Sequence, residues 1–211
     1  MTGPQTGFTA ITQKLNSLFR NPKAASLPSR RLSSHLNFQA KFWNPQLGFL
    51  ADYVDNAGQH MELRPNQLWP VSLDYRPVSD EVVSAVMRVV NAELITRRGV
   101  RTLSPRDIRY KGVYEGNQQE RDEAYMNGCA WPFLLAQYCY ASFIMMGKNF
   151  IKRAEYLTEG FYEDLSKHGV GCVSELYDGD PPHEAHGAIS SAVTTAALLN
   201  INWLIAKYRE D

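Results

Sequence analysis

The chain lacks a net charge, because its 22 basic and 22 acidic residues cancel at neutral pH. Without an excess of basic residues it has no overall attraction to nucleic acid or to an anionic membrane surface. We therefore expect neither as a partner. A neutral polyhydroxyl ligand would not require a charged protein.

Cysteine is scarce as well. Cys129, Cys139 and Cys172 are the three in the chain, so they cannot all pair with one another. Their spacing does not match that of metal ligands. Unpaired thiols are typical of proteins in a reducing compartment, and we expect a cytoplasmic location.

Long hydrophobic runs are few. Residues 1–26 lack the continuous apolar core of a secretory signal. The uncharged run 130–146 is at the short limit for a membrane span and contains Pro132 and Gln137. It predicts a helix buried inside a soluble protein.

The sequence also lacks a glycine-rich phosphate loop, a nucleophile elbow and a cysteine-histidine zinc motif. His183 and His186 stand among acidic residues, but Pro181 and Pro182 precede them. Proline prevents the regular helical spacing that would bring two histidines to one ion. We interpret these histidines as surface residues and expect no cofactor and no metal.

Helical periodicity dominates the rest of the chain. Ser79 can cap a helix whose valines recur at helical spacing, and the segment 150–167 has the same one-sided pattern. The segments 131–146 and 189–205 are apolar nearly all round, so we expect them to lie inside. About six helices are predicted, with a seventh possible near 8–20. Their ranges are 35–43, 65–73, 79–96, 125–146, 150–167 and 187–207.

The loop between the last two helices carries the clearest chemical signal. In Gly171–Pro182, Glu175 lies beside Tyr177 and Asp178 in a segment broken by glycine and proline. A glutamate on a loop held by rigid helices can act as a general base toward water. The alternative interpretation is an acidic surface turn.

Seven short segments, in a fixed order, resemble the C-terminal part of the glycogen debranching enzyme family, in its amylo-α-1,6-glucosidase domain. The resemblance runs from about Asn37 to Arg209. The segments are Phe42-Trp43-Asn44 with Gly48-Phe49-Leu50, Arg64-Pro65-Asn66-Gln67, Gly99-Val100-Arg101-Thr102-Leu103-Ser104-Pro105, Tyr110 with Gly112, Tyr114 and Gly116, Arg121-Asp122 with Ala124-Tyr125 and Gly128, Trp131-Pro132, and Ser174-Glu175 with Tyr177-Asp178-Gly179.

The resemblance implies an all-α fold, an (α/α)6 barrel or toroid. That architecture needs twelve helices, so about six correspond to its C-terminal half. We expect the apolar surface left open to be covered by the missing N-terminal half, by another chain or by self-association. Residues 37–211 would form this half, and residues 1–36 stay an N-terminal segment without an assignment.

The resemblance also implies inverting hydrolysis of α-1,6-linked glucose at the branch points of glycogen or limit dextrin. Glu175 matches the family's general base. The family's general acid is an aspartate of the N-terminal half, and no segment here matches it. We therefore expect the 211-residue chain to be inactive alone.

Further residues of the matching segments are predicted to contact the glucan. Tyr114 and Trp131 could stack on a glucose ring, and the polar side chains could bond its hydroxyls. The alternatives are helix-end hydrogen bonds for the segment around Pro65 and core packing for Trp131. The predicted substrate-binding residues are Arg64, Asn66, Gln67, Tyr114, Arg121, Asp122, Trp131, Tyr177 and Asp178.

The sequence departs from the family in two segments. Met126 stands where the family usually has histidine, and Ser191-Ala192-Val193-Thr194 replaces its Gln-Ala-Trp-Ser. Both changes are compatible with a diverged substrate, a lost activity or simple family variation. Two alternatives to an enzyme half stay open. One is a catalytically silent, glucan-binding member of the same fold, and the other is a helical scaffold that binds a protein.

Overall fold

The computed structural model describes residues 37–167 and 169–210. Residues 37–42 are helical, and six further α-helices lie in this part of the chain. They are α1 (Leu68–Val71), α2 (Asp80–Glu93), α3 (Gln118–Asn127), α4 (Leu135–Met146), α5 (Ile151–Glu159) and α6 (Ala192–Glu210). The possible helix at 8–20 and the segment 1–36 lie outside the described residues.

Nine strands of two or three residues each accompany the helices in the described residues. They are β1 (Trp43–Asn44), β2 (Phe49–Leu50), β3 (Tyr53–Asp55), β4 (Gly58–His60), β5 (Ile95–Thr96), β6 (Gly99–Arg101), β7 (Ala130–Trp131), β8 (Leu176–Tyr177) and β9 (Ala185–His186). β1 pairs with β2 and β3 with β4, whereas β5 to β9 form one antiparallel sheet in sequential order. The helical class is confirmed, but the expectation of an all-α chain is not.

Helix α2 begins where the sequence predicts it. The side chain of Ser79 accepts a hydrogen bond from the backbone N–H of Val82, and Asp80 and Glu81 occupy the first turn. The hydroxyl satisfies a backbone donor that the helix itself cannot pair, and the carboxylates favour the positive end of the helix dipole. Val82, Val83, Val86 and Val90 are buried.

The predicted helix at 125–146 is wrong in its first part. The chain instead forms α3, breaks at Gly128, adds strand β7 and resumes as a 3-10 turn before α4. A Cβ atom at Gly128 would stand 1.9 Å from the backbone oxygen of Lys111. The backbone therefore leaves the helix because it packs directly against a distant segment.

Helices α4 and α6 pack against each other, and α6 also packs on α5. Most of α4 is buried from Leu135 to Phe143, as predicted for an inner helix. Helix α6 is buried along one side only, through residues that include Ile201 and Leu204. Its opposite side is exposed although it is apolar.

None of the helices in the described residues is both long and apolar enough to cross a lipid bilayer. All three cysteines lie in the described part and are free thiols.

Candidate functional site

The five-stranded sheet brings the ends of several loops to one place. Glu175 directly precedes β8, and β7 carries Trp131. These two strands are hydrogen-bonded neighbours, with Ala130 opposite Tyr177. On the other side of β8, Leu176 lies opposite His186. Residues far apart in sequence therefore surround the carboxylate of Glu175.

Both carboxylate oxygens of Glu175 accept a hydrogen bond. The hydroxyl of Tyr125 donates to Oε1 at 3.2 Å, and the backbone N–H of Ala188 donates to Oε2 at 2.9 Å. The backbone N–H of Glu175 in turn donates to the carbonyl of Ala188 at 3.0 Å. The glutamate is thus tied to the segment after β9 by its main chain and its side chain together.

Gly187 makes this approach possible. Its φ angle is 71°, in the left-handed region, and a Cβ atom there would stand 2.7 Å from Oε2 of Glu175. Any other residue would be strained in its backbone and would push against the carboxylate.

Aromatic rings form a wall beside Glu175. The rings of Tyr125 and Trp131 meet edge to face at 4.6 Å between centroids. Tyr114 joins them around a small buried cluster that contains Cys129 and Leu176. Half-buried aromatic faces of this kind suit the apolar C–H faces of a sugar ring.

Asp178 adjoins the aromatic wall at Tyr114. Its side chain is buried and accepts a hydrogen bond from the backbone N–H of Tyr114 at 2.7 Å. Nε2 of His186 lies 3.0 Å from Oδ1 of Asp178 but is not aligned for a hydrogen bond. The imidazole also lies 5.1 Å from the ring of Tyr114.

The site keeps the hydroxyl of Tyr125 protonated. Burial, and after it the negative charge of Glu175, raises the pKa of this phenol above its ordinary value. Burial and the charge of Asp178 raise the pKa of Cys129 to about 12. Tyr125 can therefore serve as a hydrogen-bond donor, whereas Cys129 is an inert neutral thiol at physiological pH.

A profile of the amylo-alpha-1,6-glucosidase family matches residues 14–200. The chain belongs to this family.

The fold has a solved counterpart in the neutral trehalase Nth1 from Saccharomyces cerevisiae. The two share 14% sequence identity and superpose with a TM-score of 0.50 over 83% of this chain. The match spans 30% of the length of the trehalase chain. No curated protein matches the sequence. At this identity the likeness to the trehalase supports the barrel-type helical fold.

Three residues of the family segment 64–67 make internal hydrogen bonds. Arg64 donates from Nη1 to the carbonyls of Thr102 and Met126, and from Nη2 to Oδ1 of Asn127. Asn66 donates to Asp52 at 2.6 Å, and the buried Gln67 donates to the carbonyl of Arg64 at 3.0 Å. Their predicted sugar contacts stay predictions.

Three other family residues also have partners within the protein. Arg121 donates to the carbonyl of Gly116 at 2.5 Å, and Asp122 accepts from Gln118 at 2.7 Å. Tyr177 is only 1% exposed, and its hydroxyl donates to Asp164 at 2.5 Å. Their predicted role toward substrate is likewise untested.

No group of three or more histidine, cysteine, aspartate or glutamate residues within 37–167 and 169–210 is placed to hold a metal ion. The site consists of the carboxylates of Glu175 and Asp178, the imidazole of His186, aromatic rings and backbone groups. A carboxylate held in this way beside aromatic rings is suited to general-base chemistry.

Of the predicted site residues, the structure brings together Glu175, Trp131, Tyr114 and Asp178. The sequence alone did not single out Tyr125, Gly187 or Ala188 as parts of the site. Tyr125 stands in a family segment, which was the available signal. Ala188 contributes only its main chain, and a backbone donor leaves no mark in the side-chain pattern.

Proposed function

We propose that this chain is the C-terminal half of the barrel of an inverting glycoside hydrolase. The enzyme removes α-1,6-linked glucose at the branch points of glycogen or limit dextrin, and Glu175 is its general base. The observation that carries the proposal is the carboxylate of Glu175, which is held at both oxygens beside an aromatic wall. It stands at the position that matches the base of the family.

In an inverting enzyme the base activates a water on the face of the sugar opposite the departing oxygen. A second carboxyl group, about 6.5–9.5 Å away, protonates that oxygen. Trp131 and Tyr114 are half-buried and could bind the glucose ring between these two groups. Asp178 supports this wall from behind through the main chain of Tyr114.

The general acid comes from the N-terminal half of the barrel in this proposal, since no segment of this chain matches it. The match to 30% of the trehalase chain supports the view that a complete barrel needs more residues. We call this chain together with the N-terminal half the complete enzyme. A cytoplasmic location, in keeping with free thiols and a glycogen substrate, is part of the same proposal.

The apolar side of α6 also supports a missing half. The side chains of Ala192, Ala196, Leu199, Trp203 and Ala206 recur at helical spacing and are exposed. We call these five residues the α6 outer face. A continuous apolar face on a helix is typical of one that packs on both sides, and in the complete enzyme helices of the N-terminal half would cover it.

The test is Glu175→Gln in the complete enzyme, with the exposed Glu184→Gln as control. Loss of the base should lower kcat by several orders of magnitude while KM changes little. Proton NMR of the first glucose released by the unsubstituted enzyme should show the β-anomer, because inversion turns an α-linkage into a β-hydroxyl. Unchanged turnover in Glu175→Gln, or release of the α-anomer, would remove this mechanism.

A second candidate is a member that binds glucan without hydrolysing it. Met126 and Val193 favour it, because they stand where the family has histidine and tryptophan, and both are exposed. Binding of limit dextrin by the complete enzyme with no glucose release would support this candidate.

A further inference from the structure

We propose that Tyr125 is the positioning residue of this site and that Arg64 holds the helix end that carries it. The hydroxyl of Tyr125 fixes the direction of the Glu175 carboxylate, and Arg64 fixes Tyr125 through the last turn of α3. The inference rests on the proposed role of Glu175 as the base.

The first step concerns the carboxylate. The terminal torsion of a glutamate side chain has a broad energy profile and does not set the carboxylate plane by itself. The N–H of Ala188 holds Oε2, and the hydroxyl of Tyr125 holds Oε1 from a different element. Two donors on opposite oxygens define the plane, and the plane decides where a bound water can be deprotonated.

The second step concerns the end of α3. The helix ends at Asn127, only two residues after Tyr125. The carbonyl of Tyr125 accepts a hydrogen bond from Nε1 of Trp131 at 3.3 Å, and their rings meet edge to face. The last turn of a helix leaves carbonyl groups unpaired. Hydrogen-bond donors from other segments therefore stabilise that turn and hold it in position.

The third step concerns Arg64. Its guanidinium donates to the carbonyl of Met126 at 2.6 Å and to Oδ1 of Asn127 at 2.7 Å. It also donates to the carbonyl of Thr102 at 3.1 Å, and its Nε lies 3.7 Å from Asp52. All three guanidinium nitrogens are thus engaged, and a positive charge stands at the negative end of the helix dipole.

Helix α3 has no basic residue in its own last turn, so Arg64 supplies this charge from another part of the chain. The planar guanidinium of Arg64 donates hydrogen bonds to two groups on α3 and to one on the segment after β6. A lysine at this position would keep the charge but could not reproduce that geometry.

The experiment is a double-mutant cycle in the complete enzyme with Tyr125→Phe, Glu175→Gln and both together. We expect Tyr125→Phe alone to lower kcat about tenfold, the size of one hydrogen bond to a charged group, with KM within about twofold. In the Glu175→Gln background the same change should have no further effect on the residual rate, because Tyr125 acts only through Glu175. Tyr162→Phe, which removes the hydroxyl of an exposed tyrosine, is the matched control.

Arg64→Lys is the second variant and should lower kcat in the same direction as Tyr125→Phe. The decrease in kcat caused by Arg64→Lys should also disappear in the Glu175→Gln background. A normal kcat in Tyr125→Phe, or an undiminished effect in the Glu175→Gln background, would overturn the positioning role while leaving the base role in place. Full activity of Glu175→Gln would instead overturn the proposed function and this inference with it.

Discussion

Glu175 owes its direction to residues that are distant along the chain. Tyr125 stands 50 positions before it, and Ala188 stands 13 positions after it. The backbone at Gly187 must also adopt a left-handed conformation so that the carboxylate can approach. The orientation of this one side chain is therefore a property of three separate segments.

Gly187→Ala tests this point at the residue scale. The new methyl group would stand 2.7 Å from Oε2 of Glu175, so the carboxylate must turn away. We expect kcat of the complete enzyme to fall at least tenfold, together with a stability loss of about 1 kcal/mol from the backbone strain.

Gly171→Ala is the matched control for that experiment. Gly171 has a φ angle of 74°, nearly the same as Gly187, but a Cβ atom there would meet nothing within 4 Å. It should lose similar stability and keep its turnover. Equal turnover in the two variants would show that Gly187 is needed only for its backbone conformation and not for space beside the Glu175 carboxylate.

At the scale of elements, buried polar contacts connect β8 to the chain that follows α5. Tyr177 in β8 donates to Asp164, and the same carboxylate accepts from Nη1 of Arg98 at 2.9 Å. The guanidinium of Arg98 also lies 5.6 Å from the ring centre of Tyr177. This network fixes the strand that directly follows Glu175, so it supports the site without touching it.

Tyr177→Phe should therefore act on stability. Removal of the buried hydroxyl should lower the free energy of unfolding by about 1–3 kcal/mol at pH 8. Burial, and then the bond to Asp164, raises the pKa of Tyr177. The folded state thus holds the phenol proton more tightly than the unfolded state. The resulting contribution to the free energy of unfolding is complete below about pH 10 and declines as the pH rises above it.

Urea unfolding from pH 8 to 11 measures both effects. The difference between the unsubstituted chain and Tyr177→Phe should shrink above about pH 10. Tyr162→Phe serves as the control, since Tyr162 is exposed and its loss should leave stability unchanged. A constant difference across this range would contradict the coupling of the buried phenol to stability.

At the scale of the whole molecule, the two sides of α6 differ in their partners. One side packs on α4 and α5, whereas the α6 outer face is open, with Leu199 65% and Trp203 58% exposed. Exposed apolar surface of this extent promotes association in water.

We expect the 211-residue chain alone to self-associate at micromolar concentration, and Leu199→Glu to reduce that association. A charge in the centre of the face resists burial in an interface. Ser84→Glu makes the same charge change at an exposed position of α2 and should have no effect. Light scattering measures the mass of each variant. A monomeric unsubstituted chain would contradict this expectation.

The sequence by itself determined the features that depend on neighbouring residues. The start of α2 follows from Ser79 and the valine spacing, and the burial of α4 follows from its apolar run. The family segments marked Glu175 and the aromatic residues around it. Caps and periodicity are local interactions, so they can be read from residues that are adjacent in the chain.

Only the tertiary structure decided where α3 ends, how the small sheet forms and what holds Glu175. Helix α3 ends at Asn127 because the next residue, Gly128, packs against the backbone of Lys111. The hydroxyl of Tyr125 reaches Glu175 because α3 leads into β7, and β7 is the neighbour of β8. The exposure of one side of α6 is also set by tertiary packing, because an apolar pattern does not indicate which side of a helix is covered. These outcomes depend on contacts between distant segments, whose free energies no local pattern of residues records.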